Sequence, residues 1–191
     1  MSAMTARKKT LMTVEEFERI PEEEGYRIEL VRGMLIRERE PGPHPLHARL
    51  QSRMAYLLES WMAQRGERGA VMTNGAFVLA VDPGTVRIPD VAYVSRERIP
   101  EQGYGRGIWR LGPDLVVEVT SPSNSWTEIQ ARVSDYLGAG SRLVWVVDPP
   151  TRTVTVYRPD AGADRLGGDV ELEGGEVVAG FRVRLAEYFD L

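Results

Sequence analysis

Asp114-Leu115-Val116-Val117-Glu118-Val119-Thr120, followed by Ser121-Pro122-Ser123-Asn124, decides the fold. The first stretch is almost continuously apolar, as a central strand buried on both faces requires. The polar quartet leads into a helix from about Ser125 to Leu137, whose apolar stripe is Trp126, Ile129, Val133, Tyr136 and Leu137. Gly138 and Gly140 end it, and Arg142 to Val147 is again strand-like. Strand, helix, strand in this order predicts a parallel crossover, and hence an α/β domain with sheet flanked by helices.

Working toward the N-terminus, residues 95 to 112 are rich in Gly and charge and read as a surface loop near whatever the molecule binds. Before it, strands are expected over Val71 to Val81 and Arg87 to Val94, joined by the Asp82-Pro83-Gly84 turn. Leu46, Leu50, Met54, Leu57, Leu58, Trp61 and Met62 mark the strongest helix, entered through the structure-breaking Pro41-Gly42-Pro43-His44-Pro45. Tyr26 to Val31 and Met34 to Arg39 form a hairpin through Arg32-Gly33, where Gly supplies the backbone freedom of a tight turn. Thr13-Val14-Glu15-Glu16 has the form of a capping box, so a short helix runs from Val14 until Pro21 stops it after Ile20. Beyond the crossover the sequence adds a hairpin from Thr153 to Tyr157, then a final strand and a turn of helix near Phe181 to Leu191. Residues 1–12 are expected to be a flexible tail and 13–191 a single domain, without internal repeats.

The totals agree with that reading and remove several classes. At 191 residues, with 42% hydrophobic and 27% charged residues, the chain has the make-up of one folded globular domain. Every apolar run is too short to span a bilayer, and MSAMTARKKT lacks the hydrophobic stretch of a secretory signal, so the cytoplasm is the expected compartment. Absence of Cys excludes disulfides and thiolate ligands; a metal would be held by oxygen or imidazole, which favours Mg²⁺ or Mn²⁺. A net charge of −4 argues against non-specific coating of nucleic acid while permitting a local basic groove. Lys8 and Lys9 are the only lysines, so every other fixed cation is Arg.

Three carboxylates occupy positions that need an explanation: Glu29 in Arg27-Ile28-Glu29-Leu30-Val31, Asp90 in Ile88-Pro89-Asp90-Val91-Ala92, and Glu118 in Val116-Val117-Glu118-Val119. Burying an ionised carboxylate costs several kcal/mol unless it is paired, hydrogen-bonded or bound to a cation. Pairing with Arg27, Arg32 or Arg87 is one solution; a shared divalent cation is another, and Pro89 suggests a bend that re-aims Asp90. Mg²⁺ takes one or two protein carboxylates and completes its shell with waters and substrate phosphate, so a phosphodiester is the natural substrate. Metal-bound water would be the nucleophile.

Arg27-Ile28-Glu29-Leu30-Val31-Arg32-Gly33, His47, Ile88-Pro89-Asp90-Val91, Pro113 through Ser123 and Val146-Val147-Asp148-Pro149, in this order, resemble the Uma-type family of restriction-endonuclease-like proteins. That family is similar to the wider PD-(D/E)XK nuclease superfamily, and the resemblance runs from about Thr13 to Leu191. It implies a restriction-endonuclease-like mixed β-sheet core with additional hairpins, and hydrolysis of DNA. Pro89-Asp90 would be the first catalytic half, Glu118-Val119-Thr120 the second, and Glu29 an additional acidic ligand.

One departure matters. The superfamily's Lys would fall at Thr120, and the Uma-type Lys on the following helix is here Arg132. Arg stays protonated, so Arg132 could orient phosphate or stabilise charge but not deprotonate water; its alternative is an i,i+4 pair with Glu128 on the solvent face. Thr120 is expected to face the substrate. His47 either points to the substrate, binding a phosphate or passing a proton, or merely starts its helix. His44 is expected to be exposed, Asp148 and Asp114 to be strand-end residues, and Ser121 and Ser123 to cap rather than to attack. Two other readings stay open: a DNA-binding module of this fold that has lost cleavage, and a structural or interaction protein whose acidic trio pairs with arginines. Self-association fits all three, with Trp61 or Trp109 at an interface or in the core.

Overall fold

The computed structural model describes residues 11–39, 45–101, 103–105, 107–122 and 124–190. Two sheets share the work. In chain order the elements are α1 (Val14–Phe17), β1 (Tyr26–Val31), β2 (Met34–Arg39), α2 (Pro45–Arg65), β3 (Ala70–Thr73), β4 (Phe77–Ala80), β5 (Thr85–Arg87), β6 (Val91–Val94) and β7 (Leu115–Val119). Then come α3 (Trp126–Gly138), β8 (Leu143–Asp148), β9 (Thr153–Tyr157), β10 (Ala163–Gly167), β11 (Glu171–Glu173), β12 (Arg182–Arg184) and α4 (Leu185–Phe189). One sheet runs β10-β9-β8-β7-β6-β3 and the other β2-β1-β5-β4, with β11 and β12 paired as a small ribbon.

The expected crossover is present. β7 and β8 pair in parallel, Leu115 opposite Leu143 through Val119 opposite Val147, and α3 connects them. Alternation along these strands sorts the two faces of the six-stranded sheet. Val117, Val119, Trp145 and Val147 pack with Leu50, Met54 and Leu58 of α2 and with Leu185 and Tyr188 of α4. Val116, Val144 and Val146 pack with Ile129, Val133 and Tyr136 of α3. Ser125 caps α3, its hydroxyl accepting the Glu128 N–H while the Glu128 carboxylate accepts the Ser125 N–H. Trp126 departs from the expected stripe: at the first position of α3 it is 65% exposed, while Ile129, Val133 and Tyr136 are buried. Trp61 and Trp109 are both core residues.

Two expected strands each divide, and the divisions create the site. Val71 to Val81 breaks at Asn74, where φ is +53°, into β3 of the large sheet and β4 of the small one. Arg87 to Val94 breaks at Ile88-Pro89-Asp90 into β5 of the small sheet and β6 of the large one. Proline cannot donate to a ladder, so a strand ends there readily. The two crossings lie side by side: the Asn74 N–H donates to the Asp90 carbonyl at 3.2 Å. The loop expected over 95 to 112 contains a short 3-10 turn and buries Trp109, whose carbonyl accepts the Val78 N–H. The short helix ends at Phe17, and the Met12 N–H already donates to the Gly33 carbonyl. Residues 1–10, His44 and Ser123 lie outside the described residues.

Candidate active site

Where the sheets exchange strands, charged side chains from β1, α2, β5, β7 and α3 meet Asp90, which stands between β5 and β6. β6 runs antiparallel to β7 with Val91 opposite Val117, so Asp90 continues the register toward Glu118. The Asp90 carboxylate accepts the Val119 N–H at 2.7 Å, the Arg27 Nη2–H at 3.1 Å and a bond from His47 Nε2 at 3.2 Å. Burial pushes this carboxyl up, but His47, Arg27 and the Val119 N–H outweigh burial and hold it below the usual carboxylate range. His47, in turn, is raised above an ordinary imidazole by its bond to Asp90. It therefore faces the site.

Glu118 lies on the α3 side of β7 and is served less well. The Tyr136 hydroxyl donates to its Oε1 at 2.6 Å, and Arg132 Nη1 stands 3.6 Å away. Burial and the neighbouring Asp90 charge push the carboxyl up to about 7, against the pull of Arg132. Tyr136 is itself raised by burial and by the charge of Glu118.

Glu29, at the middle of β1, is the best-served of the trio. Its Oε1 accepts the Ile88 N–H at 2.9 Å and Arg132 Nη1–H at 2.8 Å, and its Oε2 accepts Arg87 Nη1–H at 2.8 Å. Burial raises this carboxyl, yet Arg132, Arg87 and the Ile88 N–H bring it below its ordinary value. Arg87 also donates from Nε and Nη2 to Asp135 Oδ2. The result is a buried chain, Asp135 to Arg87 to Glu29 to Arg132 to Glu118.

The sequence-expected residues thus divide. Asp90, Glu118 and His47 come together, and Glu29 joins them through Arg132. Arg132 does not lie on the solvent face with Glu128; it is buried between Glu29 and Glu118. Thr120 lies past the end of β7, its N–H donating to the Val147 carbonyl and its hydroxyl to Asp148 Oδ1. Asp114 is buried, accepting the Ser95 N–H and an Arg98 N–H. Arg27 and Arg87 pair with the trio as one reading foresaw, whereas Arg32 occupies the β1–β2 turn at φ +50°. Gln51, Asn74 and Tyr136 were missed: Gln51 Nε2 donates to the Asp90 carbonyl and to Asn74 Oδ1. For Gln51 a signal existed, since it follows His47 by one helical turn.

Among the described residues, no group of three or more His, Cys, Asp or Glu side chains is arranged to hold a metal ion. The donor chemistry nonetheless fits a divalent cation at the Asp90–Glu118 pair. Mg²⁺ requires only one or two protein carboxylates, and an undercompensated carboxyl beside a second one is stabilised by added positive charge. Both oxygens of Glu29, like both oxygens of Asp90, accept hydrogen bonds from the protein.

No curated protein matches the chain. Among solved structures, it is similar to the crystal structure of a nuclease, described there as putative and as belonging to DUF820, from Anabaena variabilis ATCC 29413. The TM-score is 0.82 at 24% identity, covering 93% of this chain and 97% of that one. This shows a shared fold. A family model described as "Putative restriction endonuclease" matches residues 14–186. With nearly the whole chain matched, from the short N-terminal helix to the last turn, the protein belongs to the Uma2 family.

Proposed function

We propose that this protein is a divalent-metal-dependent endonuclease that hydrolyses phosphodiester bonds of DNA. Asp90 and Glu118 would hold Mg²⁺ or Mn²⁺, and Glu29 would assist by fixing Arg132 against Glu118. The observation that carries the reading is the closeness of two buried carboxyls, Asp90 just before β6 and Glu118 on the adjacent β7, with Glu118 pushed up to about 7 by burial and by the Asp90 charge. When bound, a divalent cation would supply an activated water and offset charge growing on the phosphate. His47 contributes a bond that orients the Asp90 carboxylate, and its imidazole is partly open to solvent. Arg132 supplies fixed positive charge behind Glu118. Family membership supports nuclease chemistry, and DNA as substrate follows from that reading.

A second reading rests on a specific observation. Every oxygen of Asp90 and Glu29 accepts a hydrogen bond from the protein, so the cluster could be a closed arginine–carboxylate network in a module that binds nucleic acid without cutting it. Plasmid and linear duplex incubated with Mg²⁺ or Mn²⁺ separate the two. The nuclease reading expects cleavage that Asp90→Ala and Glu118→Gln abolish; cleavage that survives Asp90→Ala would end it.

A further inference from the structure

Among the described residues the site holds no lysine, and the three guanidinium groups around the carboxylates are not equivalent. The Arg87 and Arg132 side chains are 7% and 6% exposed and end in carboxylates on both flanks. Arg27 is 22% exposed. It also lines a cleft of 860 Å³ that opens between α1, the start of β1, Asn74 and Ile88. Among the described residues that line this cleft, Arg27 is the one cation.

Its hydrogen bonds leave it partly unspent. Both bonds that Arg27 makes among the described residues start at Nη2, to Asp90 Oδ1 at 3.1 Å and to Asn74 Oδ1 at 3.3 Å. Gln51 donates to the same Asn74 oxygen, and so helps to fix it. Nε and Nη1 remain for another acceptor. These two nitrogens lie on different edges of the guanidinium and both of its bidentate forks include Nη2, so they offer single N–H contacts to acceptor oxygens such as those of a phosphate.

We propose that Arg27, not Arg132, is the cation that binds substrate phosphate beside Asp90. This rests on the nucleic-acid reading above and names a residue for it. The group is anchored by its Asp90 edge, faces solvent through the cleft, and needs no rearrangement of the buried chain. Arg132 keeps the role of a positioning residue, holding charge between Glu29 and Glu118. Glu18, Glu22, Glu23 and Glu24 also line the cleft, Glu18 paired with Arg110 and Glu23 with Arg37, so this wall repels a run of phosphates and favours contact at Arg27 alone.

The test is metal-free binding of duplex DNA in EDTA, titrated over salt, so that it reads contacts and not turnover. Losing one phosphate contact lowers the slope of log K against log salt by about 0.9. Arg27→Gln should show that loss and Arg27→Lys should restore the slope. Because Arg27→Gln removes one of the three donors to the buried Asp90 carboxylate and could unfold the protein, the same comparison is made between Asp90→Asn and Asp90→Asn/Arg27→Gln, where no charged carboxylate is left undercompensated at Asp90. Equal slopes with and without Arg27 in the Asp90→Asn background overturn the assignment while leaving the nuclease reading standing. A wild-type protein that neither binds nor cuts DNA overturns both.

Discussion

Glu29 and Glu118 are the same side chain, both buried in strands, and both within reach of Arg132, yet their environments push them in opposite directions. Glu29 gains two guanidinium partners and a backbone N–H and stays charged. Glu118 gains one hydroxyl and a more distant guanidinium, faces Asp90, and is pushed up to about 7. Burial is common to both; compensation is what differs. The contrast separates a carboxylate that holds the fold together from one that has binding capacity left.

The sharpest way to break this comparison is to remove the Glu29 charge. Glu29→Gln leaves Arg87 and Arg132 facing an amide inside the protein, and breaking a buried pair on one side costs about 3–5 kcal/mol. Urea unfolding should show that loss, with the midpoint falling and the slope unchanged. A loss below about 1 kcal/mol would mean that water reaches these guanidinium groups and the clamp is weak.

Next in size is the pH dependence set by Glu118. With a folded value of about 7 against an ordinary 4.5, the folded state holds the extra proton between those limits. Stability due to this group is therefore fully present below pH 4.5 and is lost as pH rises toward 7, by on the order of 3 kcal/mol. Glu118→Gln has no such proton to lose, so its stability relative to wild type should grow over that window and level off above it. Glu29, whose value is lowered, acts in the opposite sense at lower pH, where its contribution disappears as the pH falls through its folded value. Mn²⁺ competes with the proton for Glu118, and should raise the wild-type melting temperature more at pH 8 than at pH 5.5, leaving Glu118→Gln unmoved.

Which part of this was legible in the sequence follows from the range of each interaction. The β7-α3-β8 crossover was readable because apolar runs, caps and glycine stops are local. The burial of Glu29, Asp90 and Glu118 was readable for the same reason: each sits among apolar neighbours in its own strand. The division of two strands between two sheets was not, since Val71 to Val81 and Arg87 to Val94 each show unbroken strand-like patterning apart from Asn74-Gly75 and Pro89. Nor could local pattern tell Glu29 from Glu118. Their partners come from α3, β5 and the crossings, at separations from 14 residues (Glu118 to Arg132) to 103 (Glu29 to Arg132). Arg132 shows the limit most clearly, because its i,i+4 neighbour Glu128 offered a local partner that the Ser125 cap took instead.

The finest test touches Glu118 without changing any formal charge. The Tyr136 hydroxyl donates its 2.6 Å bond to the carboxyl and favours the charged form; Tyr136→Phe removes it and leaves the ring in place against Ile129 and Val133. The expected cost is about 1 kcal/mol. It should be larger above pH 7 than below, because a carboxylate loses more from the missing donor than a carboxylic acid does. The variant's Glu118 should accordingly stay protonated to higher pH, shifting the pH at which Mn²⁺ begins to stabilise the protein upward. A Tyr136→Phe protein whose Mn²⁺ response begins at the same pH as wild type would show that the hydroxyl does not set the charge of Glu118, and that the guanidinium groups of Arg132 and Arg27 limit how far the carboxyl rises.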